Sequence, residues 1–340
     1  MRAGSGRGRP DLDEDDIRVR ARGGSRPRTR KRPRHEDAQE GFVTAVDRGR
    51  YRCLVNGRSV VAMKARELGR GSIVVGDRVA LVGDLSGRPD TLARVVRVEE
   101  RSSVLRRTAD DTDPVERVIV ANADRLVIVC ALADPDPQPR FIDRCLVAAY
   151  DAGLEPLLCL TKADLAAPDE LLALYSALDL PHVVTRRDGD LSPLLDHLRG
   201  RISVLIGSSG VGKSTLVNLL VPEADRAVGH VNPVTGRGRH TSTSAVALPI
   251  EGGWIIDTPG VRSFGLAHVE PDDVVAGFPD LADAVDECPP GCTHLGDGCA
   301  LDAWVDEGRV EAARVVSLRR LLAGREGEDA AADGAGRARS

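Results

Sequence analysis

A glycine-rich segment at residues 207–215, GSSGVGKST, constrains the fold of this chain more than any other feature. It follows a short apolar run at residues 202–206 and precedes a helix-like run at residues 215–220. A strand, a G-x-x-x-x-G-K-S loop and a helix in that order form a P-loop, in which glycines let backbone N–H groups turn towards a phosphate. A Gly/Ser-rich turn with an exposed lysine would require neither the strand nor the helix. The sequence therefore predicts an α/β domain built around a phosphate-binding loop.

The residues of this loop predict a nucleoside triphosphate with Mg²⁺ as the ligand. Lys213 would reach the β- and γ-phosphates, and the hydroxyl of Ser214 would bind Mg²⁺. The following helix adds its positive N-terminal end. The residues expected to contact the nucleotide here are Gly207, Ser208, Ser209, Gly210, Val211, Gly212, Lys213, Ser214 and Thr215.

Strand-like and helix-like segments alternate on the N-terminal side of the P-loop. Strands are expected at residues 125–130, 155–160 and 182–185, and helices at residues 140–152, 169–178 and 191–198. This alternation predicts a parallel sheet with helices on both faces and with ligand loops at the carboxyl ends of the strands.

The tetrapeptide T-K-A-D at residues 161–164 stands at the end of one of these predicted strands. In GTPases an N-K-x-D box at this place reads guanine, because its aspartate accepts hydrogen bonds from the ring N–H and the exocyclic amine, which adenine does not offer. Asp164 would be that aspartate, the stem of Lys162 would lie along the base, and Thr161 stands where asparagine is usual. We therefore expect GTP as the nucleotide; the alternative is a Lys/Asp pair in an ordinary turn.

Two segments after the P-loop complete this pattern. Residues 257–260, D-T-P-G, form a D-x-x-G box in which Asp257 would hold Mg²⁺ through water and the N–H of Gly260 would sense the γ-phosphate. Residues 236–243, GRGRHTST, suit a switch segment in which Thr241 engages Mg²⁺ and the γ-phosphate. Because the guanine box precedes the P-loop, the order of the motifs is circularly permuted relative to common GTPases.

The predicted catalytic site lacks one familiar side chain. Val261 follows the D-x-x-G glycine, where Ras-like enzymes carry the glutamine that orients the attacking water. Intrinsic hydrolysis is therefore expected to be slow. His240 is the candidate for positioning the water instead; the alternative is that it contacts only RNA or solvent.

Five short strand-like segments precede the predicted α/β domain, at residues 41–46, 51–55, 59–62, 77–82 and 93–98. They predict a small closed barrel, with an OB-fold as the first choice and an SH3-like barrel as the alternative. Phe42 and Tyr51 are the only aromatic residues available there for base stacking. If the barrel binds nucleic acid, we therefore expect recognition through the backbone or the shape.

A cluster near the C-terminus, Cys288, Cys292, His294 and Cys299, supplies three thiolates and an imidazole within twelve positions. Four such ligands favour a closed, structural Zn²⁺ site. The alternative is a disulfide pair plus a spare thiol, which is unusual in the cytoplasm. A helical pair is expected to pack around the site through Trp304, Val305, Val310, Val315, Val316, Leu318, Leu321 and Leu322.

The two ends of the chain differ in composition from its centre. Residues 1–40 are rich in arginine and acidic residues and poor in large apolar ones, which predicts disorder. They form either an arm that docks on a phosphate backbone or a solvated extension, and residues 324–340 are predicted to be a disordered tail. Because the apolar runs are too short to cross a bilayer and no apolar export signal is present, we expect a cytoplasmic protein without membrane contact.

Taken together, these motifs resemble the circularly permuted, small-ribosomal-subunit-dependent GTPase family, RsgA. The resemblance spans about residues 41–322 and implies an OB-fold barrel at residues 41–100, a GTPase domain at residues 101–270 and a zinc-binding helical domain at residues 271–323. It also supports His240 and Thr241 as switch residues and the Cys/His cluster as a zinc site. The sequence departs from many members in Thr161, in Ser242 and in its shorter metal cluster.

The resemblance implies a hydrolase that converts GTP to GDP and phosphate, binds the small ribosomal subunit and its rRNA, and acts in late maturation of that subunit. The subunit would stimulate hydrolysis, hydrolysis would promote release, and a monomer is expected. One alternative is a non-catalytic, nucleotide-gated RNA-binding module in which the Val261 site has lost useful turnover. Another, a P-loop ATPase of transport or repair, is disfavoured because Asp164 follows its strand as a guanine reader would.

Overall fold

The computed structural model describes residues 35–68, 73–107, 116–222, 245–258, 266, 268–296 and 298–325. The predictions made for the arm up to residue 34, for the tail from residue 326, and for His240, Thr241, Ser242, Gly260 and Val261 lie outside these ranges. Among the described residues, no helix combines the length and the apolar character needed to cross a membrane.

The N-terminal barrel contains the strands β1 (Gln39–Asp47), β2 (Arg50–Val55), β3 (Arg58–Lys64), β4 (Arg78–Gly83) and β5 (Ala93–Val98). The strands pair in the order β1-β2-β3-β5-β4, and β4 pairs again with β1, so the sheet closes on itself. Inward-facing side chains such as Val43, Cys53 and Leu81 are fully buried. Each predicted strand segment coincides with one of these strands, and the closed order confirms the OB-fold.

The central sheet contains five parallel strands: β8 (Arg125–Ala131), β9 (Glu155–Thr161), β10 (His182–Val184), β11 (Ile202–Ile206) and β13 (Gly253–Asp257). They lie in the order β10-β9-β8-β11-β13. The accompanying helices are α1 (Pro139–Asp151), α2 (Asp169–Ala173), α3 (Ser192–Leu198) and α4 (Lys213–Leu220). Alternate residues of β8 belong to different hydrophobic clusters, Leu126 to one and Val127 to the other. The predicted parallel sheet, covered on both faces, is therefore confirmed.

The segment predicted as one helix over residues 169–178 is shorter than expected. It consists of α2 followed by a 3₁₀ turn at Ser176–Leu178. The hydroxyl of Ser176 donates a hydrogen bond to the carbonyl of Ala173 at 2.9 Å. Such local side-chain bonds to the backbone compete with continued helical hydrogen bonding.

Strand β12 (Val246–Ile250), which was not predicted, joins the central sheet to the barrel. It runs antiparallel to β13 on one side and pairs with β1 on the other, where Ala45 lies opposite Val246. The ring of Phe42 lies 5.0 Å from the ring of Trp254, which adds an aromatic contact across the junction. The barrel and the central strands therefore form one continuous eleven-stranded sheet.

A two-stranded hairpin, β6 (Val104–Arg107) and β7 (Arg117–Ala121), follows the barrel. Directly after it, the amide of Asn122 donates to the carbonyl of Gly76 at 2.9 Å. Gly76 has a φ of 93°, and a Cβ atom there would lie 2.0 Å from the carbonyl oxygen of Ala121. Only glycine fits this close approach, so the backbone of the hairpin is fixed directly against the barrel.

Among its described residues, the C-terminal part contains the α-helices α5 (Pro271–Val275), α6 (Ala282–Asp286), α7 (Ala300–Asp306) and α8 (Ala312–Arg325). Helix α8 packs against α1, and its residues Val315, Leu318 and Leu322 are buried. Their spacing of three and four residues defines one helical stripe. Val316 lies off that stripe and is 64% exposed, so the prediction that it packs with the others is wrong.

Candidate functional site

The P-loop lies between β11 and α4. Gly210 (φ 85°) and Gly212 (φ 88°) have the left-handed backbone conformation, which glycine adopts freely. A Cβ atom at Gly207 would lie 2.7 Å from the carbonyl oxygen of Val129 in β8, so this position also requires a glycine. Gly212 is the N-cap of α4, and no side chain of the described residues caps that helix. The first N–H groups of α4 are therefore available to an anion.

The predicted loop residues differ in how accessible they are. Gly207 and Val211 are buried, whereas the remaining seven are exposed or half-buried: Ser208, Ser209, Gly210, Gly212, Lys213, Ser214 and Thr215. The serine hydroxyls, the lysine and the threonine are thus open to a ligand. Val211 instead packs into a hydrophobic cluster on one face of the central sheet and so anchors the loop.

The aspartate of the D-x-x-G box lies beside the P-loop lysine, where Lys213 Nζ contacts Asp257 Oδ1. The same Nζ lies 3.4 Å from the carbonyl oxygen of Thr258. Strands β11 and β13 are neighbours, and Thr258 fastens their ends together by donating from its hydroxyl to Leu205 O at 2.8 Å. The predicted Mg²⁺ ligands Ser214 and Asp257 therefore both lie near the carboxyl ends of the neighbouring strands β11 and β13.

The predicted guanine box lies against the P-loop, although the two segments are far apart in sequence. Thr161 Oγ1 donates to Val211 O at 2.6 Å, and a Cβ atom at Gly212 would lie 3.7 Å from the same hydroxyl. Lys162 has a φ of 58°, and Asp164 is exposed. The structure thus brings residues 161–164, the P-loop and Asp257 together, as the permuted motif order predicts.

One further contact, beside the predicted guanine box, was not predicted. Lys162 Nζ contacts the backbone carbonyl of Asp134, which follows β8. Pro135, the next residue, comes within 3.5 Å of the position of a Cβ atom on Gly210. Loops at the carboxyl ends of parallel strands commonly line ligand sites, so the position of residues 134 and 135 after β8 is the one signal that could have suggested them.

The four residues of the predicted metal site converge. The ligand atoms of Cys288, Cys292, His294 and Cys299 all lie within 4.8 Å of one another. Cys288 Sγ is 3.6 Å from both Cys299 Sγ and His294 Nδ1, and all seven cysteines of the chain are free rather than disulfide-bonded. Zn–S bonds of about 2.3 Å and a Zn–N bond of about 2.1 Å place the ligand atoms of a tetrahedral site about 3.6–3.8 Å apart. The donor set and its spacing therefore fit one Zn²⁺ ion.

The surroundings of this cluster favour metal binding by a neutral imidazole. Burial lowers the pKa of His294, so the ring is uncharged and can offer a nitrogen lone pair at neutral pH. Arg319 from α8 donates from Nε to His294 O at 2.9 Å and pairs with Asp302 of α7 at 2.8 Å. The cluster is thus held between two helices by bonds outside the ligand set.

Comparison with known proteins supports the interpretation of these motifs as those of a GTPase. The family profile described as RsgA GTPase matches residues 98–267. A curated relative from Azotobacter vinelandii, named small ribosomal subunit biogenesis GTPase RsgA, is 41% identical over 263 residues, which cover 74% of this chain and 75% of the relative. A relative of the same name from Pseudomonas aeruginosa strain LESB58 is 40% identical over 265 residues, covering 74% of this chain and 76% of the relative.

Solved structures match over most of the chain. YjeQ from Thermotoga maritima is 25% identical, with a TM-score of 0.60, covering 86% of this chain and 99% of that one. YloQ, described as a circularly permuted GTPase, is 21% identical, with a TM-score of 0.61 and coverage of 86% and 96%, which shows a shared fold. With the profile match and the relatives' identity over about three quarters of its length, the chain belongs to the RsgA GTPase family and hydrolyses GTP.

Proposed function

We propose that this GTPase acts in late maturation of the small ribosomal subunit. The relatives' names include biogenesis of that subunit. The observation that carries the proposal is the meeting of the guanine box, the P-loop and Asp257 at one sheet edge, in the permuted order of the family. In the GTP state the protein holds the subunit, the subunit stimulates hydrolysis, and hydrolysis to GDP promotes release.

The nucleotide is bound at two places in this site. Asp164 accepts hydrogen bonds from guanine, with the stem of Lys162 along the base, and residues 207–215 surround the phosphates through backbone N–H groups and Lys213. Ser214 and Asp257 would hold Mg²⁺, which would supply positive charge beside the phosphates. The adjacency of Lys213 and Asp257 supports this division of roles.

Hydrolysis also requires residues outside the described ranges. Thr241 and the N–H of Gly260 contact the γ-phosphate side, and His240 positions the attacking water in place of the glutamine that Val261 replaces. Lys213 balances the negative charge that develops on the phosphate oxygens. These roles follow from the motif positions in the sequence.

The metal cluster has a structural role in this proposal. Three thiolates and one imidazole would fill the four positions of a Zn²⁺ ion and leave none for a reacting water. One Zn²⁺ would fasten the C-terminal helices at residues 271–323, next to a GTPase domain at residues 101–270 and a barrel at residues 41–100. The donor spacing supports one ion in each chain.

The barrel offers a surface suited to an RNA backbone. Arg50 of β2 and Arg94 of β5 are both register partners of Met63 on the intervening β3, and all three side chains are exposed. Further exposed arginines on the barrel are Arg48, Arg58, Arg78 and Arg97. Arginine rows bind phosphates without reading sequence, which supports rRNA as the partner. We propose a cytoplasmic monomer that does not bind membranes.

The deciding experiment measures phosphate release from GTP and from ATP, with and without purified small ribosomal subunits. We expect turnover of GTP alone and a faster rate with subunits. Lys213→Ala should abolish both rates, whereas Arg199→Ala, which removes an exposed positive charge next to β11, should leave them unchanged.

Two results would overturn the proposal. Equal rates with GTP and ATP, together with no effect of the subunit, would contradict both the substrate and the partner. Nucleotide-dependent binding to the subunit with no change in hydrolysis would instead favour the non-catalytic RNA-binding module.

A further inference from the structure

A groove lies at the junction of the barrel and the central sheet. It is bordered by β1, β2 and β3 on one side and by β12 and Trp254 of β13 on the other. The described strands β1 and β12 are joined by one register pair, Ala45 with Val246, and β4 pairs with the same edge of β1 at residues 39–42. The strands therefore part directly beyond that pair, and the groove lies where β12 leaves the barrel.

The groove has the size and the lining of a site for one aromatic ring. Its volume is about 170 Å³, and an apolar cavity of about 150 Å³ can hold a benzene molecule. Apolar side chains form most of the lining, including Leu54, Leu248 and Pro249. The indole of Trp254 also lines the groove, and Phe42 packs against that indole with the ring centres 5.0 Å apart. A flat ring that enters the groove can therefore stack on an indole that a second aromatic ring holds in place.

The charge around the groove favours a nucleic acid as its occupant. Of the described residues that line it, none is acidic, and Arg52 is basic. Arg50 lies two residues before Arg52 on β2, so both side chains belong to the same outer face of the barrel. Arg50 also belongs to the exposed row that continues through Met63 to Arg94. A phosphate backbone bound along this row would bring a base within reach of the groove.

We propose that this groove binds one unpaired nucleobase of RNA, which stacks on Trp254 while the arginines of the barrel hold the neighbouring phosphates. The inference rests on the RNA partner proposed above and changes how that partner is recognised. Base stacking was not expected of the barrel, and Tyr51 is only 8% exposed while Phe42 is half-buried against the indole. The stacking surface comes instead from β13, which lies outside the barrel, so the barrel sequence could not indicate it.

The substitution Trp254→Ala removes the stacking surface, whereas Trp254→Phe keeps an aromatic ring there. Loss of stacking on one base should weaken the binding of an RNA hairpin with a single bulged nucleotide by about 5- to 150-fold. Trp254→Phe should restore most of that affinity. A hairpin with an abasic site at the bulge carries the same phosphates without the base, so it should bind Trp254→Ala as it binds the unmodified protein.

The test compares the dissociation constants of both hairpins in the full-length protein and in both variants. Selective loss of affinity for the base-bearing hairpin in Trp254→Ala is the expected result. Equal losses for both hairpins would mean that the indole merely maintains the junction, and no loss would mean that no base binds there; either outcome overturns the inference. Unchanged hairpin binding together with weaker binding of purified small ribosomal subunits would assign the groove to a protein side chain and overturn it as well. If the unmodified protein binds neither hairpin nor subunit, the proposed function itself fails, and the inference with it.

A second measurement leaves the junction intact. The chain contains two tryptophans, and the other one, Trp304, is 8% exposed. In the variant Trp304→Phe, all indole fluorescence comes from Trp254, and a base stacked on that indole should quench it. We expect quenching by the bulged hairpin and none by the abasic hairpin. Equal changes in emission with both hairpins would contradict stacking on Trp254.

Discussion

At the scale of single residues, Asp164 is the group that we propose for recognition of guanine. It is exposed, while Thr161 and Lys162 just before it are bonded to Val211 and Asp134. An exposed carboxylate on a fixed backbone can accept hydrogen bonds from guanine with little loss of conformational freedom. We therefore expect specificity for guanine to depend on this carboxylate and on the residues that hold its backbone in place.

Asp164→Asn should lower the affinity for GDP by about 10- to 100-fold, because charge-assisted hydrogen bonds to the base are lost. The affinity for ADP, which we expect to be weak, should not change. Titration calorimetry with both nucleotides measures the effect, and Asp188→Asn, at another exposed aspartate, is the control. A parallel loss for GDP and ADP would show that the substitution disturbs the loop rather than base recognition.

The sequence identified residues whose side-chain chemistry is specific and missed one that acts through its backbone. Lys213 and Asp257 were predicted because a P-loop and a D-x-x-G box fix both residue type and spacing. Asp134 contacts Lys162 through a carbonyl group, which every residue carries. No residue-type pattern could therefore have singled it out.

At the scale of secondary-structure elements, a buried aspartate joins α1 to α8. Asp143 of α1 has a side chain that is 5% exposed, and its Oδ2 lies 3.2 Å from Arg320 Nε of α8. The Arg320 guanidinium also lies 4.7 Å from the ring centre of Tyr175. Burial raises the pKa of Asp143, even though Arg320 attracts the charged form. The ion pair thus holds the helices together but does not offset the full cost of burying the charge.

Asp143→Asn should become more stable relative to the unmodified protein as pH rises. A carboxyl whose pKa is raised by folding stabilises the folded state fully below its unfolded pKa of about 3.9, and that contribution is lost as pH rises through the folded pKa. Asparagine is neutral throughout. Urea unfolding of both proteins across the acidic to neutral range gives the difference, with Asp283→Asn at an exposed site as the control. A difference that shrinks with rising pH would contradict the sign.

The C-terminal helices should depend on bound metal. We expect one Zn²⁺ for each freshly purified chain, and Cys292→Ser should lose the metal and lower the melting temperature, because structural zinc contributes directly to folding. Cys53→Ala, in the barrel core, should keep the metal. Metal analysis by mass spectrometry tests both variants, and purified protein without any zinc would count against the assignment.

The barrel strands were predictable because local turn chemistry separates them. Asn56 (φ 47°) and Gly57 (φ 76°) form the tight turn between β2 and β3, and Asn-Gly is the preferred pair for positive φ at both positions. Strand β12 was missed, since Pro249 within it argues against a strand in the middle of a sheet. The pairing of β12 with β1 is at Val246, away from that proline.

At the scale of the whole molecule, α8 connects the metal cluster to the segment that follows the guanine box. Arg319 binds His294 O, and the next residue, Arg320, donates from Nη1 to Leu174 O at 2.9 Å. Arg314, in the first turn of α8, donates from Nη1 to Ala177 O at 2.7 Å. A partner that displaces α8 would therefore break the bonds to Leu174 and Ala177 as well as the bond to the metal cluster.

The order of the three parts along the chain could be predicted, whereas their joining could not. Barrel turns, nucleotide motifs and clustered metal ligands each mark their own part of the sequence. The pairing of Ala45 with Val246 depends on backbone groups at two strand edges, and side-chain patterns do not say which edges meet.

The junction between the barrel and the central sheet also affects the tendency of the protein to self-associate. Without β1, strand β12 would present free N–H and C=O groups along the open side of the central sheet, and such a border readily recruits a strand from another molecule. The barrel covers that side where Ala45 of β1 pairs with Val246, and its own circular strand order leaves little new border in exchange. We therefore expect a chain that lacks the barrel to self-associate more readily than the whole protein.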